Sequence, residues 1–342
     1  MKDYMKRLVR ILRPALLAAT ALMAAPVAEA ALQKVLFCVY DPLGTRGEAF
    51  GMARDQALVA GQWGVDMKLR AYTDERVAAE DFKAGHCDGV AITTIRARQF
   101  SPFVGSIDSV GALPTPRHMR LLLEALANPK LAPRMITDNY EVAGVIPMGP
   151  AYVMVIDRRI DSVEKAAGKK VAVLELDKAQ TRIVQRLGAQ PVASDLSNFA
   201  GKFNNHQVDV LVAPVLLYKP MELHKGVGTK GAIYRFPLGQ ISATLLINRK
   251  RFPAGYGQQS RTYVRTQVDK AFAIVSRAEK EIPESQWMNI TPADEARYVQ
   301  LMREARDQLA AEGLYDADMM RLLRNIRCKV TPASPECAVA AH

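Results

Sequence analysis

DMKLRAYTDERVAAEDFKAGHCDGVAITT, residues 66–94, decides the fold. Asp66 to Tyr72 alternates as a half-buried strand does. Asp74 to Ala84 follows as a helix with Val77, Ala78 and Phe82 turned inward, and Gly85 stops it. Asp88 to Thr94 is a short apolar run and reads as the next strand. Strand, helix and strand in this order are the unit from which parallel sheets are built.

The same alternation extends upstream. Lys34 to Tyr40 (KVLFCVY) is a buried strand ending in the turn Asp41-Pro42-Leu43-Gly44. Gly47 to Ala60 is a helix with Phe50, Ala53, Ala57 and Leu58 on one side. Downstream, Pro116 to Ala127 is helical, and Glu141–Ile146 and Tyr152–Ile156 are strands flanking a Pro147-Met148-Gly149-Pro150 turn. A second α/β alternation begins with IDSVEKAAGKK and runs through VAVLEL (171–176), a helix from Lys178 to Leu187, QPVA, a helix from Leu196 to Asn204, and VDVLVAP (208–214). Ile241 to Asn248 is a further strand, and the chain is helical from Gln258 onward. Thr291-Pro292-Ala293-Asp294 opens a helix with a threonine cap, a proline at its first position and an acid in its first turn. Tyr298, Leu301, Ala305 and Leu309 form its apolar stripe, and Gly313 ends it. Two α/β lobes place the default ligand site in the cleft between them, at the carboxyl ends of the strands.

The N-terminus reads as a secretory signal. MKDYMKRLVRILRP is a basic leader, ALLAATALMAAPV a short apolar run, and Ala28-Glu29-Ala30 a small-residue cleavage site. Cleavage is expected after Ala30, which sends the mature chain to the periplasm. The run is too short and alanine-rich to anchor in a bilayer. The signal carries a net +3, which leaves +8 of the chain's +11. Export and the lack of a dense Lys/Arg run with interleaved aromatics exclude nucleic acid as the expected partner.

An oxidising compartment turns four cysteines into two expected disulfides. Three pairings are open. Cys328–Cys337 closes a natural local loop, which leaves Cys38–Cys87, and whether those two meet depends on strand order. His86, Cys87 and Asp88 stand side by side, but an oxidised Cys87 is no nucleophile. The five histidines show no metal-ligand spacing, and no nucleophile elbow or P-loop occurs, so neither an enzyme nor a bound metal or cofactor is expected.

The chain resembles the DctP-like periplasmic solute-binding proteins of tripartite ATP-independent periplasmic (TRAP) transporters over nearly all of its mature length. Three segments carry the likeness in order and spacing: RDQALVAGQWGVDMKLRAYTDERVAAEDFKAGHCDGVAIT; IDSVEKAAGKKVAVLE with LGAQPV and NNHQVDVLVAP; and RFPAGYGQQSRTYVRTQVDKAF. LFCVYDPLG, the GHCDG turn and IRARQF with SIDSVGALP look closest to a branch of solute-binding proteins, some of them described as efflux-associated. The resemblance implies an α/β, two-lobed periplasmic-binding-protein fold (type II, TRAP-like) with C-terminal helices. Lobe one would be residues 31–150, lobe two 151–240, and the returning strand and C-terminal helices 241–342. It also implies capture of a small polar solute and delivery to integral-membrane transporter subunits. An efflux role fits poorly, because neither pump helices nor an adaptor's coiled coils and lipoyl-like segments are present. The alternatives are an envelope sensor or scaffold on the same fold, and a hydrolase using Cys87 and His86.

Typical members of the resembled family place an arginine in the first strand of lobe two, forked onto a ligand carboxylate. The matching position holds Ala172, so another arginine takes over or the ligand differs. The expected ligand-binding set is Asp41, Thr45, Thr94, Arg96, Arg98, Tyr152, Asp177, Gln180, Thr181, Pro214, Tyr218 and Gln240. Asp41 and Thr45 lie in a strand-to-helix loop whose N–H groups suit an anion, unless it is an ordinary turn. Arg96 and Arg98 follow the third strand, and at least one is expected at the ligand. Asp177 faces the cleft or caps the helix at Lys178, and Tyr218 covers a ligand or packs.

Overall fold

The computed structural model describes residues 31–338; the expected signal, residues 1–30, lies outside them. The first third runs β1 (Gln33–Tyr40), α1 (Glu48–Ala60), β2 (Val65–Tyr72), α2 (Glu75–Lys83), β3 (Gly89–Thr93), the short helices α3 (Thr94–Ala97) and α4 (Pro102–Gly105), and α5 (Pro116–Ala127). The middle runs β4 (Ile136–Thr137), β5 (Tyr140–Val155), α6 (Val163–Ala166), β6 (Lys170–Leu174), α7 (Lys178–Arg186), β7 (Gln190–Ser194), α8 (Phe199–Asn204) and β8 (Val210–Pro214). The rest runs α9 (His224–Val227), β9 (Ala232–Asn248), α10 (Tyr256–Thr266), α11 (Val268–Lys280), β10 (Trp287–Met288), α12 (Pro292–Ala311) and α13 (Ala317–Val330).

One sheet orders its main strands β2-β1-β3-β9-β5-β8-β6-β7. β1, β2 and β3 are mutually parallel, as are β6, β7 and β8, while β9 and β5 are antiparallel to the strands beside them in this order; the short β10 pairs with β9 in parallel. The two parallel sets therefore run in opposite directions, and both end at the middle of the long strands. Thr93 pairs with Ala243, and Ala243 with Ile146. Pro214 pairs with Ala151, and Ala151 with Gly239. The carboxyl ends of both sets thus converge on residues 146–151 and 239–243, where an open α/β sheet leaves its crevice.

Each half of the sheet is covered on both faces, as strand alternation dictates. Cys38, Val90 and Ile92 bury against Phe82, Leu122 and Leu323 on one face, and Val35, Phe37 and Val39 against Phe50 and Tyr256 on the other. In the other half, Met154 and Leu211 pack with Phe203, and Val153, Val155 and Val173 with Val184 and Tyr298. β1 lies beside β3, which brings Cys38 and Cys87 together at a Cα separation of 5.9 Å; Cys328 and Cys337 join at 5.5 Å.

Three readings change. Residues 147–150 do not break the strand: β5 continues through them because β9 pairs with it along its length, and a register shift between Pro147 and Gly149 absorbs the proline. Val77 and Leu58 face solvent, and Ala79 and Gln56 take the inward positions. The helix from Gln258 is two helices meeting at Gln267, and Met302, not Leu301, is buried on α12.

Candidate functional site

The cleft is built from the ends just described. Asp41 and Leu43 after β1, Thr93 at the end of β3 and Ile95 after it, and Ala172 and Leu174 of β6 line it. Pro214 ends β8 there, Ile146 and Met148 of β5 and Ile241 of β9 form its floor, and Ala271 and Ile274 of α11 close one side.

Of the expected ligand set, Asp41, Gln180 and Pro214 line this cleft. Asp41 is 3% exposed and acts locally: its carboxylate accepts from the Leu43 N–H at 2.9 Å and the Phe50 N–H at 3.1 Å, in the first turn of α1. Gly47 makes this possible, since a Cβ there would sit 1.8 Å from the Asp41 carboxylate. Gln180 turns its carbonyl back onto the Leu174 N–H at 3.0 Å. Thr45 is exposed at the loop's outer side, and Thr181 continues the first turn of α7; neither lines the cleft.

The two arginines leave the cleft. Arg96 donates through Nε to Glu75 Oε2 at 2.6 Å, both side chains nearly inaccessible, and Glu75 also accepts from the Thr93 N–H. Burial pushes the Glu75 carboxyl upward against the pull of Arg96. Arg98 donates through Nη1 to Asp177 Oδ1 at 3.0 Å, joining the segment after β3 to the segment after β6. Its Nε reaches the Gly105 carbonyl at 2.9 Å, and its guanidinium lies over the Tyr315 ring at 5.4 Å. Gly105 is needed because a Cβ there would come within 2.3 Å of the Arg98 backbone. Asp177 caps α7 through the Ala179 N–H while holding Arg98, so it packs in the wall and does not open into the cleft.

Thr94 is fully buried, with its hydroxyl bonded to Ser242 at 2.8 Å and Thr244 at 2.7 Å. Ser242 also donates to Asp108 at 2.7 Å. Desolvation pushes the Asp108 carboxyl up to about 7, against the pull of these Ser242 hydrogen bonds. Tyr152 and Gln240 line a different groove, with Phe236, Leu238 and Phe272. Strand alternation sends Gln240, Ser242 and Thr244 to the face opposite Ile241 and Ala243, and the bulge at 147–149 moves Tyr152 off the face of Ile146 and Met148. Tyr218 is buried and its hydroxyl bonds Gln286. Sequence reasoning favoured polar residues and missed the aliphatic lining; its signal was apolar side chains at the carboxyl ends of strands.

His86 is an exposed residue beside Asp81, and Cys87 has no free thiol. Among the described residues no cluster of His, Cys, Asp and Glu could hold a metal ion.

The chain is similar to known proteins. The family model for solute-binding protein AdeT 1/2 matches residues 56–342. "Probable solute-binding protein AdeT1" of Acinetobacter baumannii is 48% identical over 301 residues, which are 88% of this chain and 99% of that one. AdeT2 of the same organism is 30% identical over 240 residues, 69% of this chain and 100% of that one. A TRAP periplasmic solute-binding protein from Desulfovibrio salexigens with bound orotic acid superposes with a TM-score of 0.72 at 16% identity, over 87% of this chain and 100% of that one. The last likeness shows the fold.

Proposed function

We propose, from the premise that the chain belongs to the AdeT 1/2 solute-binding protein family, that it traps its solute in the cleft between the strand ends and passes it to an integral-membrane transporter. It is a solute-binding protein, and its family and fold are those of binding proteins. No helix among the described residues is long and apolar enough to cross a membrane. The working site is the periplasm, reached through cleavage after Ala30. The moving parts are lobe one, residues 31–150, and lobe two, residues 151–240, with residues 241–342 returning across both.

The observation that carries this reading is the double wall of the cleft. Residues after β1 and β3 face residues of β6 and β8 across one space. A solute touching both walls binds the closed arrangement better than the open one, and only that difference can drive closure. The Arg98–Asp177 pair spans the same two walls and would form on closing.

Ligand-dependent melting and small-angle scattering test this together. A ligand at about a hundred times its Kd adds about 2.7 kcal/mol, a rise of several degrees in Tm. The expected result is that rise with a smaller radius of gyration. No solute moving either quantity across a broad screen would overturn the reading.

A further inference from the structure

The charged side chains lining the cleft are Asp41 and Glu48, both acids; Glu48 pairs with Arg277 at 3.7 Å outside the lining, and among the described residues no lysine, arginine or histidine lines the cleft itself. The start of α1, where an anion would be received, already holds the Asp41 carboxylate on the Leu43 and Phe50 N–H groups. Arg96 and Arg98 are committed to Glu75 and Asp177. Most of the neutral polar lining is engaged: Gln56 donates to Ser260, Gln180 accepts from the Leu174 N–H, and Thr93 accepts from the Arg96 N–H, which leaves the Tyr40 hydroxyl and the Gln180 amide nitrogen as neutral donors. Ala172 contributes a methyl group. The rest of the wall is largely aliphatic, with Met52, Ile92, Ile146, Met148, Leu174 and Leu216 among it.

A carboxylate entering this space would shed its water, meet no cation in the lining and lie near an acid. An apolar solute would gain from leaving water, and the two methionines can reshape around it. We propose that the cleft takes a hydrophobic solute lacking carboxylate and phosphate, either neutral or carrying one amine beside the exposed Glu48. This rests on the reading that the cleft is the capture site.

The test uses the mature chain and a matched set of probes: octanol, octylamine, octanoate and succinate, with binding read by calorimetry and native mass spectrometry. Octanol or octylamine should bind at least about tenfold tighter than octanoate, with succinate weakest. Met148→Trp, which fills the cleft from a half-buried position, should remove that binding. Ala172→Arg should raise octanoate affinity about tenfold relative to octanol. If that variant fails to fold, the wild-type ranking and Met148→Trp still decide. Tighter binding of octanoate or succinate, lost in Met148→Trp, overturns the solute class and leaves capture standing. Octanol binding that Met148→Trp leaves unchanged places the solute elsewhere and overturns the proposal. No binding by any probe, with the protein purifying empty, overturns the solute class and capture together.

Discussion

The front and back of the same short segments behave as two different regions. In residues 93–98, Thr93 and Ile95 line the cleft, while Thr94, Arg96 and Arg98 turn to partners inside the protein. On β9, Ile241 and Ala243 face the cleft, and Ser242 and Thr244 join a buried hydroxyl chain behind it. Thr94, Arg96, Arg98, Asp177, Tyr152 and Tyr218 are internally satisfied, Gln240 is buried in the other groove with neither amide atom bonded, and the surface left for a solute in the cleft is largely apolar. A charged residue at a strand end therefore marks the neighbourhood of the cleft and need not mark its chemistry.

Breaking the back region should cost the most. Glu75→Leu leaves Arg96 buried without its partner, and the expected loss is about 3–5 kcal/mol in denaturant unfolding. Adding Arg96→Met to that variant should recover much of the loss. If Glu75→Leu instead left stability intact and changed solute affinity alone, the division into front and back would be wrong.

The Asp108 carboxyl gives a pH signature for the same region. Its value of about 7 lies above the ordinary 3.8, so between those pH values the folded chain holds a proton that the unfolded chain has released. This contribution to stability is complete below about pH 4 and falls as pH rises through 7. Wild type should lose roughly 4 kcal/mol over that window that Asp108→Asn does not lose. Parallel pH profiles for the two proteins would remove Asp108 from the account.

Much of the fold was legible because strand and helix periods differ and Gly85, Gly313 and the Thr291 cap mark their ends. The Cys38–Cys87 pairing needed strand order as well, which places β1 beside β3. Facing was the poorly legible quantity. Period-2 alternation tells which residues share a face, but only the neighbouring strand tells which face is open. A single bulge near Gly149 then reverses the assignment for Tyr152. Arg96 was misplaced for a related reason. Glu75, an acid in the first turn of α2, carries no local sign that it will be buried 21 positions from the arginine it holds.

The Arg98–Asp177 pair joins the two regions, and its effect should be intermediate. Asp177→Asn keeps a cap for α7 but removes the charge that holds Arg98 across the walls. Solute affinity is expected to fall about tenfold, with a larger radius of gyration in the presence of ligand. Unchanged scattering and affinity would make the pair a packing contact only.

The smallest effect should come from the front. Ile241 is half-buried on the cleft floor, so Ile241→Ala removes little packing and should cost about 1 kcal/mol or less in stability. The same truncation removes apolar contact from the solute, and affinity should fall about threefold to tenfold. The ratio of the two effects is what separates the regions. A back-region substitution such as Thr244→Val should show the reverse, with a stability loss near 1 kcal/mol from the broken Thr94 hydrogen bond and unchanged affinity. Equal changes in both quantities for both variants would mean that the solute touches the polar side as well.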